Sequence, residues 1–283
     1  MYSTLISTAD LAAHLDDPSF IVVDARHDLG QPDTWGEAQY RRAHIPGAQF
    51  VYMDRDLSAP KTGMNGRHPL PSIEACTALF GRLGIDGSKQ VVTYDQGPGT
   101  YAARMWWTLR WLGHQAVAVV DGGYAVWERD GRAVTTEVPT VAKASFVAHP
   151  TVPAVDVAAV AANLSSSSML LVDARGRDRF RGDVEPIDKV AGHIPGSINR
   201  PYTDNMTGDG HFKPAEQLRK DFAAVIGDHP PSAVVHTCGS GVTACHNLLA
   251  MEHAGLGGTR LYAGSWSEWS ADPKRPIARG PFF

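Results

Sequence analysis

Two tandem α/β domains, each a mainly parallel sheet flanked by helices, are predicted by three features of this sequence. The chain repeats itself in order, short β-branched runs alternate with amphipathic segments, and the segments between them have the length of strand–helix crossovers. Four segments recur once each, in the same order. "IVVDARHDLG" at 21–30 returns as "LLVDARGRDRF" at 170–180, and "RAHIPGAQF" at 42–50 returns as "AGHIPGSIN" at 191–199. In both the offset is 149 residues, from Asp24 to Asp173 and from His44 to His193. "QVVTYDQGPGTYAARMWWTLR" at 90–110 is answered by "AVVHTCGSGVTACHNLLAM" at 233–251. "DGGYAVWERDGRAV" is answered by "YAGSWSEWSADPKRPI", with Trp127 opposite Trp269. The period is too long for a solenoid, which leaves two similar domains, expected over 1–138 and 153–283 with a linker at 139–152. The stretch 137–153 carries three prolines and no glycine, a composition that suits an extended strap.

Within each repeat the elements follow in the same order. "FIVVDAR" and "MLLVDAR" are short apolar runs ending on a charge and read as buried strands. "SIEACTALFGRLG" (72–84) sets Ile73, Cys76, Leu79, Phe80 and Leu83 on one helical face and closes at Gly84. "PAEQLRKDFAAVIG" (214–227) does the same, with Pro at its start and Gly at its end. "KQVVTYD" and "SAVVHTC" are strands that lead through glycines into the helices "TYAARMWWTLRWLG" and "VTACHNLLAMEHAG". "AVAVVDGG" and "TRLYAGS" close each repeat as strands.

Bulk properties exclude several classes. Hydrophobic content of 43% with 20% charged residues describes a globular chain. A net charge of −4 gives no basis for nucleic-acid binding. No apolar run approaches the ~20 residues of a membrane helix, so no membrane contact is expected. The opening "MYSTLISTADLAAHL" lacks the basic and apolar regions of a secretory signal. Three cysteines, Cys76, Cys238 and Cys245, form no disulfide framework and fit a reducing cytoplasm. Six residues separate Cys238 from Cys245, which matches no common zinc spacing, and neither metal nor cofactor is expected.

Chemistry is expected where the two repeats differ. At one strand end stands Asp95, at the other Cys238. Ligands of parallel sheets bind beyond the carboxyl ends of the strands. The segment Gly239, Ser240, Gly241, Val242, Thr243, Ala244 runs from that edge into a helix, so its backbone amides can converge on an anion. A cysteine at the base of such a nest is a candidate nucleophile. Cys76 and Cys245 fall on core-facing helical positions and are expected to pack. His44 and His193 are expected to lock turns, and Asp24 and Asp173 to bond nearby backbone or the adjacent arginine. In the first repeat, Asp95 at the mouth of the loop is expected to repel anions by its charge.

The tandem units, "DAR", "HIPG", a Cys-bearing loop in the second unit alone and "GSWSEW" together resemble a two-domain rhodanese over essentially the whole chain. Within that family "CGSGVTA" is similar to the loop of the 3-mercaptopyruvate sulfurtransferases, whereas thiosulfate-preferring members carry basic residues where Gly239 and Ser240 stand. A neutral loop suits a donor with one carboxylate better than a dianion. The resemblance implies a persulfide on Cys238, release of pyruvate, and an acceptor that is cyanide, a small thiol or thioredoxin. It implies that loop amides hold the outer sulfur's charge. It implies a catalytic set of Cys238 with Ser240, His68 and Asp54, the last two from "VYMDRDLSAPKTGMNGRHPLP"; Asp56 is the alternative acid, because the spacing there exceeds the family's. It implies that Arg179, first arginine of "RFRG", contacts the substrate. The family's second arginine after "EP" is replaced by Ile187, with Arg181 and Lys189 as the nearby cations. The rival functions are thiosulfate sulfurtransferase, a Cys-based phosphatase and a non-catalytic sulfur-carrier module. Phosphatase loops place Arg six residues beyond the Cys, and here that residue is Ala244.

Overall fold

The computed structural model describes residues 1–151 and 154–280. Val152, Pro153 and residues 281–283, which include the expected end of the linker and both ends of the expected second domain, lie outside the described residues. The chain divides into two compact units. One takes Met1–Ala59, Pro71–Thr151 and Gly208–His211; the other takes Pro60–Leu70 with the described residues of Val152–Thr207 and Phe212–Phe283.

In the first unit the order is β1 (Leu5–Ile6), α1 (Thr8–Ala12), β2 (Phe20–Asp24), α2 (Trp35–Arg42), β3 (Gln49–Phe50) and α3 (Ile73–Arg82). Then come β4 (Gln90–Tyr94), α4 (Thr100–Trp111), β5 (Val117–Val120) and α5 (Gly123–Arg129). The strands form one parallel sheet ordered β1-β5-β4-β2-β3. Every residue of β4 is buried, as a central strand covered on both faces requires. Its core gathers Ile6, Leu11, Val92, Tyr94, Val120, Tyr124 and Trp127. The α3 helix begins where the Ser72 hydroxyl accepts the Ala75 amide and ends before Gly84, whose φ of +75° a side chain would not readily take. Residues 139–151 form neither helix nor strand; their amides at Ala144, His149 and Thr151 donate to carbonyls of Gly81, Leu112 and Trp111.

The second unit repeats the plan with α6 (Val157–Ser166), β6 (Leu170–Asp173), α7 (Arg177–Arg181), β7 (Ile198–Asn199) and α8 (Ala215–Ile226). It continues with β8 (Val234–Thr237), α9 (Thr243–His253), β9 (Arg260–Leu261) and α10 (Ser265–Trp269). The parallel sheet is ordered β7-β6-β8-β9. A parallel bridge between Val155 and Tyr262 stands where β1 pairs β5 in the first unit. The core includes Val160, Leu171, Val235, Tyr262, Trp266 and Trp269.

The shared motifs are structural in both units. Asp24 accepts the backbone amide and the Nε of Arg26, and the Arg26 guanidinium reaches the Ala43 carbonyl at 2.7 Å. Asp173 and Arg175 repeat this, with Arg175 reaching the Gly192 carbonyl at 2.8 Å. Each arginine thereby ties a strand end to the residue before "HIPG". His44 and His193 each bond a helical carbonyl through Nδ1, of Tyr40 and Phe180, and stack on those same rings at 3.9 and 3.8 Å.

Candidate active site

The β8 strand is buried along its whole length between β6 and β9, and it delivers Cys238 to the carboxyl edge of the sheet. The chain then crosses four residues before α9 starts at Thr243. Backbone pairing sets this segment rigidly. The carbonyls of Cys238 and Gly239 accept the amides of Trp266 and Ser267, each at 2.9 Å. The Cys238 amide donates to the Ser265 hydroxyl at 3.0 Å, and that hydroxyl donates to the Tyr262 carbonyl at 2.9 Å.

Gly241 turns the loop onto the sulfur. Its amide donates to Cys238 Sγ at 3.1 Å, a contact that favours negative charge on the sulfur. Its φ is +75°, and a Cβ there would lie 2.3 Å from the Ala263 carbonyl oxygen, so only glycine fits. The Cys245 thiol donates to the Gly241 carbonyl at 3.2 Å. Cys245 is fully buried and thus works as loop support, as expected of a packing cysteine. Cys76 is also fully buried, and burial pushes its thiol up to about 11. Val242 and Ala244 are buried on either side of Thr243, which is partly exposed at the start of α9.

Ser240 and His68 meet. The hydroxyl lies 2.7 Å from His68 Nδ1, and both residues are buried. His68 arrives on the segment Pro60–Leu70, which belongs to the second unit although it lies within the first repeat's stretch of sequence. Gly66 lets that segment approach: with φ +84°, a Cβ there would stand 2.8 Å from the Gly264 carbonyl oxygen. The Arg67 amide then donates to the Ser267 hydroxyl at 2.9 Å. Asp54 is described with the first unit, where its Oδ2 lies 3.7 Å from His27 Nε2. Asp56, also in the first unit, accepts the Tyr52 amide and pairs with Arg82.

Arg179 lies at the loop. Its Nη2 and Nη1 would stand 3.6 and 3.8 Å from a Cβ on Gly239. Glu185 pairs with it at 2.7 Å and also takes Arg175 and the amides of Ile187 and Asp188. Burial pushes the Glu185 carboxyl upward, but Arg179 and these amides outweigh it and hold the group below its usual value. Asp188 bridges Arg179, at 3.2 Å, and Arg67. There burial dominates over the two arginines, and the Asp188 carboxyl lies above its usual value. Ile187 is 44% exposed, Lys189 is exposed, and Arg181 makes a surface pair with Asp183.

Two expectations need correction. The loop at Gly239 and Ser240 is uncharged in its own residues but not in its surroundings, because Arg67 joins Arg179 there: its Nη2 would be 3.0 Å from a Cβ on Gly239. Asp95 does not stand at the mouth of its loop. Its carboxylate lies inside, accepting the amides of Gly97 and Gly99 at 3.0 Å, Tyr101 at 2.8 Å and Ala102 at 3.3 Å. Burial raises this carboxyl above its usual value against the pull of those amides. The first unit's nest therefore holds an anion of its own, in the position where the second has Cys238.

Arg67, Asp188, Glu185 and Ser265 escape a reading of the sequence alone. Ser265 carried one available signal. It answers Gly123 in the repeat, and the two share a left-handed backbone, φ +54° and +60°. A serine kept where glycine is the unstrained choice marks a side chain in use.

The family model for the rhodanese-like domain matches residues 7–130 and 156–272. A Pseudomonas aeruginosa protein described as a probable 3-mercaptopyruvate sulfurtransferase is 46% identical over 279 residues, covering 98% of each chain. The mouse thiosulfate sulfurtransferase is 35% identical over 295 residues, covering 99% of this chain and 97% of the mouse one. The crystal structure of an Escherichia coli 3-mercaptopyruvate sulfotransferase superposes with a TM-score of 0.81 at 31% identity, covering 94% of this chain and 99% of that one.

Proposed function

Since the chain belongs to the rhodanese family of sulfurtransferases, we propose that it moves sulfur from 3-mercaptopyruvate through a persulfide on Cys238 to a thiophilic acceptor. The observation that carries this reading is the Gly241 amide on Cys238 Sγ, which supports an anionic sulfur at a parallel-sheet edge. The Cys238 thiolate attacks the donor's sulfur, an S–S bond forms and the carbon–sulfur bond breaks. The electron pair of that bond stays on carbon as the enolate of pyruvate, which takes a proton and leaves. The 2.7 Å contact between Ser240 and His68 supports this pair as the one that moves the proton. Arg179 holds the donor's carboxylate, and the amides from Gly239 to Ala244 hold the outer sulfur's charge. Cyanide, a thiol or reduced thioredoxin then attacks the outer sulfur, and the S–S electron pair returns to Cys238.

Among the described residues no helix is long and apolar enough to cross a membrane. We infer a reducing cytoplasm from the three free thiols. Residues 139–152 serve as the linker between a first domain without a catalytic cysteine and a catalytic second domain. Thiosulfate is the second reading, favoured by the mouse relative and by the cations at Gly239. Both donors compared in one cyanide-coupled thiocyanate assay test the choice. The expected result is a higher kcat/KM for 3-mercaptopyruvate; clear preference for thiosulfate would refute it.

A further inference from the structure

We propose that Arg67 is the second cation of the donor site, closing with Arg179 a two-guanidinium clamp on the carboxylate of an α-keto thiol donor. This rests on the donor reading above. Ile187, where a second arginine is expected, is 44% exposed and carries no charge. Arg67 comes instead from the segment that brings His68 to Ser240, one residue earlier in the chain. Its Nη2 and the Nη2 of Arg179 converge on one point, 3.0 and 3.6 Å from where a Cβ on Gly239 would be. Asp188 binds both guanidinium groups, and Arg67 Nε is buried without a hydrogen-bond partner. Two like charges brought together repel unless anions lie among them. Asp188 on both arginines and Glu185 on Arg179 meet that need within the protein, and a donor carboxylate over Gly239 would reach the Nη atoms that converge there.

Gly239 and Arg67 are therefore coupled. A larger residue at 239 would start in the space that the guanidinium takes, so a glycine there lets the cation come from elsewhere in the chain. That space adjoins Cys238. A donor with two carbons between sulfur and carboxylate can place its sulfur at Sγ and its carboxylate at this point. Guanidinium forks match such a carboxylate bidentately.

The test is steady-state kinetics of Arg67→Gln and Arg67→Lys in the full chain, with thermal melting of each variant. For Arg67→Gln, KM for 3-mercaptopyruvate should rise about tenfold or more, as loss of a charge-assisted contact requires, while kcat moves much less. Discharge of a preformed persulfide by cyanide should keep its rate. Arg67→Lys should fall between wild type and Arg67→Gln. Adding Gly239→Arg to Arg67→Gln should bring KM back down, because it returns a cation to the same space. An unchanged KM in Arg67→Gln, or an equal loss in the cyanide step, overturns the assignment. Wild-type enzyme that takes no sulfur from 3-mercaptopyruvate overturns the donor reading, and the clamp with it.

Discussion

Cys238 and Ser265 show how single residues set this site. The Ser265 hydroxyl accepts the Cys238 amide, and Ser265 holds a backbone conformation that costs about 1–2 kcal/mol outside glycine. Ser265→Gly should relieve that strain, so the melting temperature should hold or rise. Persulfide formation should nonetheless slow by about five- to tenfold, the worth of a hydrogen bond that positions the nucleophile. A variant that loses stability and rate together would make Ser265 merely structural. Cys238 was legible in the sequence because the repeat offers Asp95 beside it for contrast. Arg67 was not, since nothing in a linear pattern shows that residues 60–70 pack with the second unit. Ser265 was half legible, as the departure from Gly123.

Strand, loop and helix form one device used twice. In each unit a buried strand ends on an acidic or sulfur-bearing side chain, four residues turn, and a helix starts at a threonine. The first unit fills its nest with Asp95, so Asp95→Ala should leave the amides of Gly97, Gly99, Tyr101 and Ala102 without that acceptor. The expected cost is about 2–3 kcal/mol, read as a lower denaturation midpoint, since each unsatisfied buried amide is expensive and water can recover part of it. In the second unit Gly241→Ala should disrupt the loop and abolish sulfur transfer, because its Cβ would collide with Ala263. Activity preserved in that variant would mean the loop can rearrange. These elements were readable from periodicity, β-branching and glycine placement. The two-residue strands β1, β3 and β7 were not resolved from their loops in that way, for pairing with a neighbour defines them more than residue preference does.

Across the whole molecule, buried histidines give stability a pH dependence. His236, on β8 two residues before Cys238, is fully buried against Phe222 with Nε2 on Met251 Sδ, and burial pushes it down to about 3. Burial also lowers His114 and His193. Their folded values lie below the unfolded value of about 6.5, so the unfolded chain takes up protons first as pH falls. The stability these neutral rings contribute is present above pH ~6.5 and lost progressively below it. For His236 the loss should reach about 2 kcal/mol at pH ~5. Denaturant midpoints measured between neutral and mildly acidic pH should therefore fall, and His236→Gln should flatten the fall by one proton. An unchanged slope would show that His236 titrates normally.

The central claim is that Cys238 carries sulfur taken from 3-mercaptopyruvate, and intact-mass spectrometry of the full chain tests it most directly. After incubation with the donor, wild-type protein should gain one sulfur atom as pyruvate appears in equal amount, and cyanide should remove that sulfur. Cys238→Ala should gain none. A sulfur retained in Cys238→Ala, or pyruvate released without one in wild type, would contradict the account.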